Sequence, residues 1–221
     1  KGMNKLQQGQ LSLDIKLRED ATFENFVGDA GMQLQLPEAW TYLWGGKGSG
    51  RSHLLQALCH RTAGGIYLSD LKRHSVDLLQ GLAMVPLVCI DDVEDILGDA
   101  KWEAGLFHLM NEIKDAGNRL VVSGPEPAVR LSIQLADLRS RLVSAYAVET
   151  CELSDEEKLQ VLIQKAHHRG FRISEDVGHF ILARTSRDLS QILRLLEKLE
   201  KETLRQGKTV TIPFVKRTLH L

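Results

Sequence analysis

The stretch Gly45-Gly46-Lys47-Gly48-Ser49-Gly50-Arg51-Ser52-His53 most constrains what this chain can fold into. It follows the apolar run Trp40 to Trp44, which reads as a buried strand, and enters His53-Leu54-Leu55-Gln56-Ala57-Leu58, which reads as a helix. Strand, glycine-rich turn and helix in that order frame a phosphate site. Backbone N–H groups around Gly46, Gly48, Ser49 and Gly50 can turn inward at the helix N-terminus, where the dipole favours an anion. An ordinary strand–helix turn has no use for so many glycines. The pattern G-x-x-x-x-G-K-S/T holds from Gly45 to Ser52, except that Arg51 stands where lysine is usual. Lysine is a compact ammonium that reaches between β- and γ-phosphates, whereas arginine is a wider planar fork. Arg51 is therefore expected to hold a diphosphate well and to serve a transferring γ-phosphoryl group poorly. Tight nucleotide binding with weak hydrolysis by the isolated chain is the expectation.

The rest of the chain supplies the frame for such a loop. Ile66-Tyr67-Leu68, Leu87-Val88-Cys89-Ile90, Leu120-Val121-Val122 and Ala145-Tyr146-Ala147-Val148 read as further strands, and the unbroken apolar run at 87–90 as one covered on both faces. Helical spacing of Trp102, Leu106, Met110 and Ile113, and a charged helical stretch around Leu138–Leu142, alternate with them. Residues 71–81, with Leu71, Val76, Leu78 and Leu79, read as one more helix. Strands alternating with helices predict an α/β fold with a doubly wound parallel sheet. After Glu152 the pattern becomes all helical. Ser154-Asp155-Glu156-Glu157 has the form of a capping box, Ser174 reads as a second cap, and Leu189, Ile192, Leu193, Leu196 and Leu199 form a stripe suited to packing inside a helical lid. The expected division is a flexible N-terminal tail over 3–20, a nucleotide-binding α/β domain over 21–152 and a small all-helical lid over 153–221.

Composition narrows the partners. A net charge of −1 offers no global attraction to nucleic acid or to anionic membrane, so DNA contact would have to be local or indirect. Cys59, Cys89 and Cys151 are far apart and match no metal-ligand spacing, which suits a reducing compartment. No apolar run approaches a membrane span. A soluble, cytoplasmic protein is expected.

Further positions have chemistry to offer. Asp91 ends the apolar strand 87–90, where a phosphate-loop protein places the carboxylate that faces Mg2+, with Ser52 supplying a hydroxyl to the same ion. Asp92 is a candidate for orienting an attacking water. Ser123 ends the next strand, placed either to touch a γ-phosphate or to cap the turn before Gly124-Pro125. Arg141 and Arg187 lie in charged stretches whose pattern reads first as a solvated face, with a cation for phosphoryl charge as the functional alternative. Phe23 and Phe26 fall on one side of a short helical turn, as core plugs or as the wall of a base pocket. Gln10-Leu11-Ser12-Leu13-Asp14-Ile15 alternates apolar residues, as an edge strand or as a peptide that docks in another protein's groove.

Taken jointly, these motifs resemble a known family. Gly45-Gly46-x-Gly-x-Gly-Arg-Ser-His-Leu-Leu resembles the phosphate loop of the bacterial replication initiator DnaA, an AAA+ protein. Thr22-Phe23-Glu24-Asn25-Phe26-Val27 resembles the box that precedes its core, and Ile90-Asp91-Asp92-Val93 with Leu106-Phe107-His108 its Walker B strand and following helix. Thr209 to Val215 resembles the end of its lid. The chain stops where DnaA would continue into a helix-turn-helix domain, and Gln10–Ile15 is similar to the hexapeptide by which proteins dock on the replicative sliding clamp. Those features resemble the family's regulatory branch, which inactivates the initiator.

The resemblance implies a negative regulator, an inhibitor of replication initiation. It would be nucleotide-bound, with ADP as cofactor and Mg2+ optional, and would dock on the DNA-loaded clamp of DNA polymerase III. There it would stimulate hydrolysis of the ATP held by DnaA. Arg141 would be an arginine finger acting in trans, Arg187 the second sensor touching nucleotide, and Ser123 a looser match to the first sensor. Phe26, Val27, Gly46, Gly48, Ser49, Gly50, Arg51, Ser52 and His53 would hold the nucleotide, and Gln10, Leu11, Leu13 and Ile15 the clamp. DNA would be reached only through the clamp, with no membrane role and homodimerisation left open. The alternative is an autonomous AAA+ ATPase of the helicase-loader kind acting on nucleic acid.

Overall fold

The computed structural model describes residues 17–19, 21–185, 189–206 and 209–220. Five strands, β1 (Trp40–Trp44), β2 (Ile66–Leu68), β3 (Leu87–Ile90), β4 (Arg119–Gly124) and β5 (Tyr146–Glu149), pair in the order β2-β3-β4-β1-β5, every pairing parallel. Strand alternation divides the side chains between two faces. Tyr42, Val88, Ile90, Leu120 and Val122 enter one cluster, with helices α3 (Ala100–Asp115) and α4 (Ala136–Ser144). Leu43, Leu87, Cys89 and Val121 enter the other, with α1 (Ala30–Gln33) and α2 (Arg51–Arg61). Helices on both faces of a parallel sheet make the expected doubly wound domain. Because Cys89 is fully buried on β3, its thiol is pushed well up, by burial first and then by the neighbouring Cys59.

Beyond Glu149 the helices α5 (Asp155–His168), α6 (Glu175–Arg184), α7 (Leu189–Gln206) and α8 (Ile212–Leu219) gather around their own core. Leu162, Ile181, Ile192, Leu196, Leu199, Phe214 and Val215 bury there, so the leucine stripe of α7 packs within the lid. The capping box forms as its sequence predicts: Ser154 Oγ accepts from the Glu157 N–H while Glu157 accepts from the Ser154 N–H. Ser174 precedes α6 in extended geometry but makes no side-chain cap bond.

One expected element is different. Instead of one helix over 71–81, the chain forms short 3₁₀ turns at Leu71–Arg73, Val76–Leu79 and Leu82–Met84. The buried leucines here, Leu71, Leu78, Leu79 and Leu82, do fall at helical spacing, but His74, Ser75 and Gln80 are extended and break the helix between them. Gly81 at φ +78° is the N-cap of the third turn. Each turn delivers its leucine to the α3 side of the sheet, and the chain gives up a regular helix to do it.

Candidate nucleotide site

The C-terminal ends of the strands bring the candidate residues together. Gly45 leaves β1, Asp91 leaves β3, Ser123 lies at the end of β4 and Thr150 follows β5. In open α/β sheets this carboxyl edge is where ligands sit. The loop is pinned from beneath, where Ser49 Oγ and Thr150 Oγ1 share a buried hydrogen bond of 2.6 Å and the Thr150 N–H donates to Trp44 O at 2.7 Å. Gly48 and Gly50 take φ of +83° and +92°. A Cβ at Gly46 or Gly48 would meet nothing within 4 Å, so these glycines line open space that side chains would fill. Gly50, at the N-cap of α2, has no side chain with which to cap, which leaves the first N–H groups of α2 for an anion.

The charged corner is more tightly tied than the sequence suggests. Arg51 Nη2 donates to Asp92 Oδ1 at 3.0 Å and lies 3.8 Å from Glu94 Oε1. Only 11% of the Arg51 side chain is exposed; Nη2 is held by these carboxylates, while the buried Nη1 has no hydrogen-bond partner among the described residues. Burial, then the neighbouring Asp91, raises Asp92 above the ordinary carboxylate range against the pull of Arg51. Glu94 is raised as well, chiefly by burial. Asp92 holds a left-handed backbone at φ +50°, its N–H shared between Asp91 Oδ1 and Ser123 Oγ at 3.1 and 3.0 Å.

Asp91 is buried behind it. Its Oδ1 accepts a short hydrogen bond from the Ser123 hydroxyl, and its Oδ2 accepts from Tyr67 Oη at 2.7 Å. Ser123 is fully buried, its hydroxyl occupied by the two aspartates. Burial, then Asp91, pushes the Tyr67 phenol up, against smaller opposing effects of the neighbouring Ser69 and Ser52. Ser52 and Asp91 thus both neighbour Tyr67. One hydroxyl and one carboxylate fit a magnesium ion that keeps waters and takes most of its remaining oxygens from phosphates. No group of three or more His, Cys, Asp or Glu among the described residues could cage a metal.

Phe26 and His53 wall the adjoining side, with ring centroids 6.0 Å apart. Phe26 presses on the loop itself, since a Cβ on Gly50 would come within 2.7 Å of its ring. His53 Nε2 meets Thr22 O at 2.7 Å, so α2 holds the Thr22–Val27 segment, in which Val27 is half-buried. The lid joins from the far side: Lys165 on α5 donates to Glu24 O at 2.5 Å and to Asn25 Oδ1 at 3.0 Å. Burial, then Arg169, lowers the Lys165 ammonium below its ordinary value. A pocket of about 170 Å³ is lined by Arg18, Gly46, Gly48, Gly50, Arg51, Ser52 and His53. Whole-ligand pockets run to roughly 300 Å³ or more, so this space suits phosphates rather than a complete nucleotide.

Arg141 stands apart from this group. It lies in the last turn of α4, half-buried, its guanidinium carbon 4.9 Å from the centroid of the Trp40 ring. Trp40 opens β1 and the loop follows its other end at Trp44, which puts roughly 13 Å of strand between them. Gln10, Leu11, Leu13, Ile15 and Arg187 lie outside the described residues. Sequence reasoning passed over Tyr67, Glu94, Thr150, Lys165 and Arg18. Each acts through a partner distant in the chain, and none sits in a local motif that would mark it.

The model of the "Hda, lid domain" family matches residues 155–219. An uncharacterized protein of Haemophilus influenzae is 37% identical over 228 residues, covering 96% of this chain and 99% of its own. Among solved structures, domain III of the Thermotoga maritima replication initiation protein DnaA superposes with a TM-score of 0.71 at 22% identity, covering 93% of this chain and 98% of that one. AMPPCP-bound DnaA from Aquifex aeolicus gives 0.66 at 22% identity, with 87% and 69% covered.

Proposed function

The chain belongs to the Hda/DnaA-related AAA+ proteins, and on that premise we propose that it regulates replication initiation by acting on a partner's bound nucleotide. Its own site would hold a nucleoside diphosphate, ADP by family. The loop N–H groups and Arg51 would take the phosphates, Phe26 and Val27 the base side, and Arg187 the nucleotide from the lid. Magnesium, where the nucleotide brings it, would be held by Ser52 and Asp91 and would neutralise phosphate charge. Intrinsic hydrolysis would be weak, because the ion pair with Arg51 at 3.0 Å ties up the Asp92 carboxylate that would orient a water, and the arginine fork serves a transferring γ-phosphoryl group poorly.

The observation that carries the reading is the position of Arg141. A cation a full strand's length from its own phosphate loop cannot serve that loop, yet half-exposed on the Trp40 ring it can enter another chain's site. The partner would be DnaA, with Arg141 stabilising charge on its ATP as hydrolysis proceeds. Gln10, Leu11, Leu13 and Ile15 would place the complex on the sliding clamp. The test is ATP hydrolysis by DnaA in the presence of clamp, DNA and this protein. Arg141→Ala should abolish the stimulation, a loss on the order of 10³-fold, while ADP binding to the variant persists. Full stimulation by Arg141→Ala removes this mechanism.

A further inference from the structure

We propose that Arg18 is a phosphate-contacting residue of the nucleotide site, a second guanidinium that completes the charge Arg51 leaves unmet. The inference rests on the reading that the loop holds a nucleoside diphosphate. Such a ligand brings about three negative charges near neutral pH. It enters a corner already carrying Asp91, Asp92 and Glu94, where Arg51 is paired with two of the three. The loop amides and the α2 dipole supply only partial charges. Lys47, the other cation of the loop, is exposed and does not line the pocket. Arg18 does line it, together with Gly46, Gly48, Gly50, Arg51, Ser52 and His53.

Its mounting argues the same way. The Arg18 N–H donates to Gln56 Oε1 at 2.9 Å, and its carbonyl oxygen meets His60 Nε2 at 2.9 Å. Both partners project from α2, the helix whose first turn forms the phosphate cradle, so the backbone of Arg18 is fixed to the cradle. The residue is half-buried and its Nε is fully shielded from solvent. A guanidinium held at the rim of an anion cradle by two bonds to its backbone is preorganised for bidentate phosphate contact.

Calorimetric titration of the full chain with ADP and with inorganic pyrophosphate tests the assignment. Arg18→Met keeps an unbranched apolar stem in place of the arginine's and both backbone bonds, so its melting temperature without ligand should match the parent. Its affinity for both ligands should fall by on the order of ten- to a hundredfold, with partial recovery in Arg18→Lys. Parent-like binding of both ligands by Arg18→Met overturns the role of Arg18 and leaves the nucleotide site standing. A loss for ADP with pyrophosphate unaffected also overturns it, placing Arg18 on the base or sugar side. If the parent chain binds neither ligand, the nucleotide reading itself falls.

Discussion

Glu103 offers the sharpest test of how this fold is held. It lies on α3, 1% exposed, yet makes no ion pair among the described residues. Its carboxylate accepts from the Leu135 N–H at 2.7 Å, from Gly98 at 2.8 Å and from Gln134 at 3.0 and 3.1 Å. Leu135 is the N-cap residue of α4 and has no side chain able to cap, so the cap of α4 comes from α3, 32 residues away. Burial alone would push the Glu103 carboxyl up, but the three backbone donors outweigh it and leave it below the ordinary 4.5.

Glu103→Gln replaces one acceptor oxygen with a donor that faces N–H groups. Leu135 is half-buried, while Gly98 and Gln134 are exposed and water can reach them. With the amide nitrogen in the place of Oε2, the Leu135 donor is orphaned at near full cost while Gly98 and Gln134 keep an uncharged acceptor, which gives a loss of about 2–4 kcal/mol at pH 7. Urea denaturation measures it. A folded-state value below the unfolded one means that the stabilisation is complete above pH 4.5 and disappears as the pH falls through the folded value. The gap between parent and variant should therefore narrow in acid. A gap under about 0.5 kcal/mol at pH 7, within the scatter of ordinary surface changes, would refute the capping role. So would a gap that stays constant down to pH 3.

Two further substitutions probe the site. Gly50→Ala forces a side chain into φ +92° and against the Phe26 ring, and should destabilise by about 2 kcal/mol; adding Phe26→Ala should relieve the steric part only, and an equal penalty in both backgrounds would show that the ring contact is not felt. Tyr67→Phe removes a buried hydroxyl bonded to Asp91 at 2.7 Å and should cost about 1.5–3 kcal/mol in denaturant, an effect whose absence would mean that water replaces the phenol.

What the sequence by itself determined is everything that adjacent residues settle. Apolar runs at 40–44, 66–68 and 87–90 became strands, Gly45 to Gly50 became the turn from β1 into α2, and Ser154 and Glu157 capped α5. These depend on dihedral preference, periodicity and hydrogen bonds a few residues long, all readable along the chain. The leucines at 71–82 misled because their helical spacing serves burial against α3 while extended residues at 74, 75 and 80 and the left-handed Gly81 break the backbone into 3₁₀ turns. Tertiary structure alone decided what the site's charges do. The order β2-β3-β4-β1-β5 sets Tyr67 of β2 and Ser123 of β4 on either side of Asp91. It also lets Arg51 meet Asp92 across 41 positions. Arg51 read along the chain is a hand held out to phosphate. In the fold its charge is already shared with carboxylates, because strands far apart in sequence end at the same edge of the sheet.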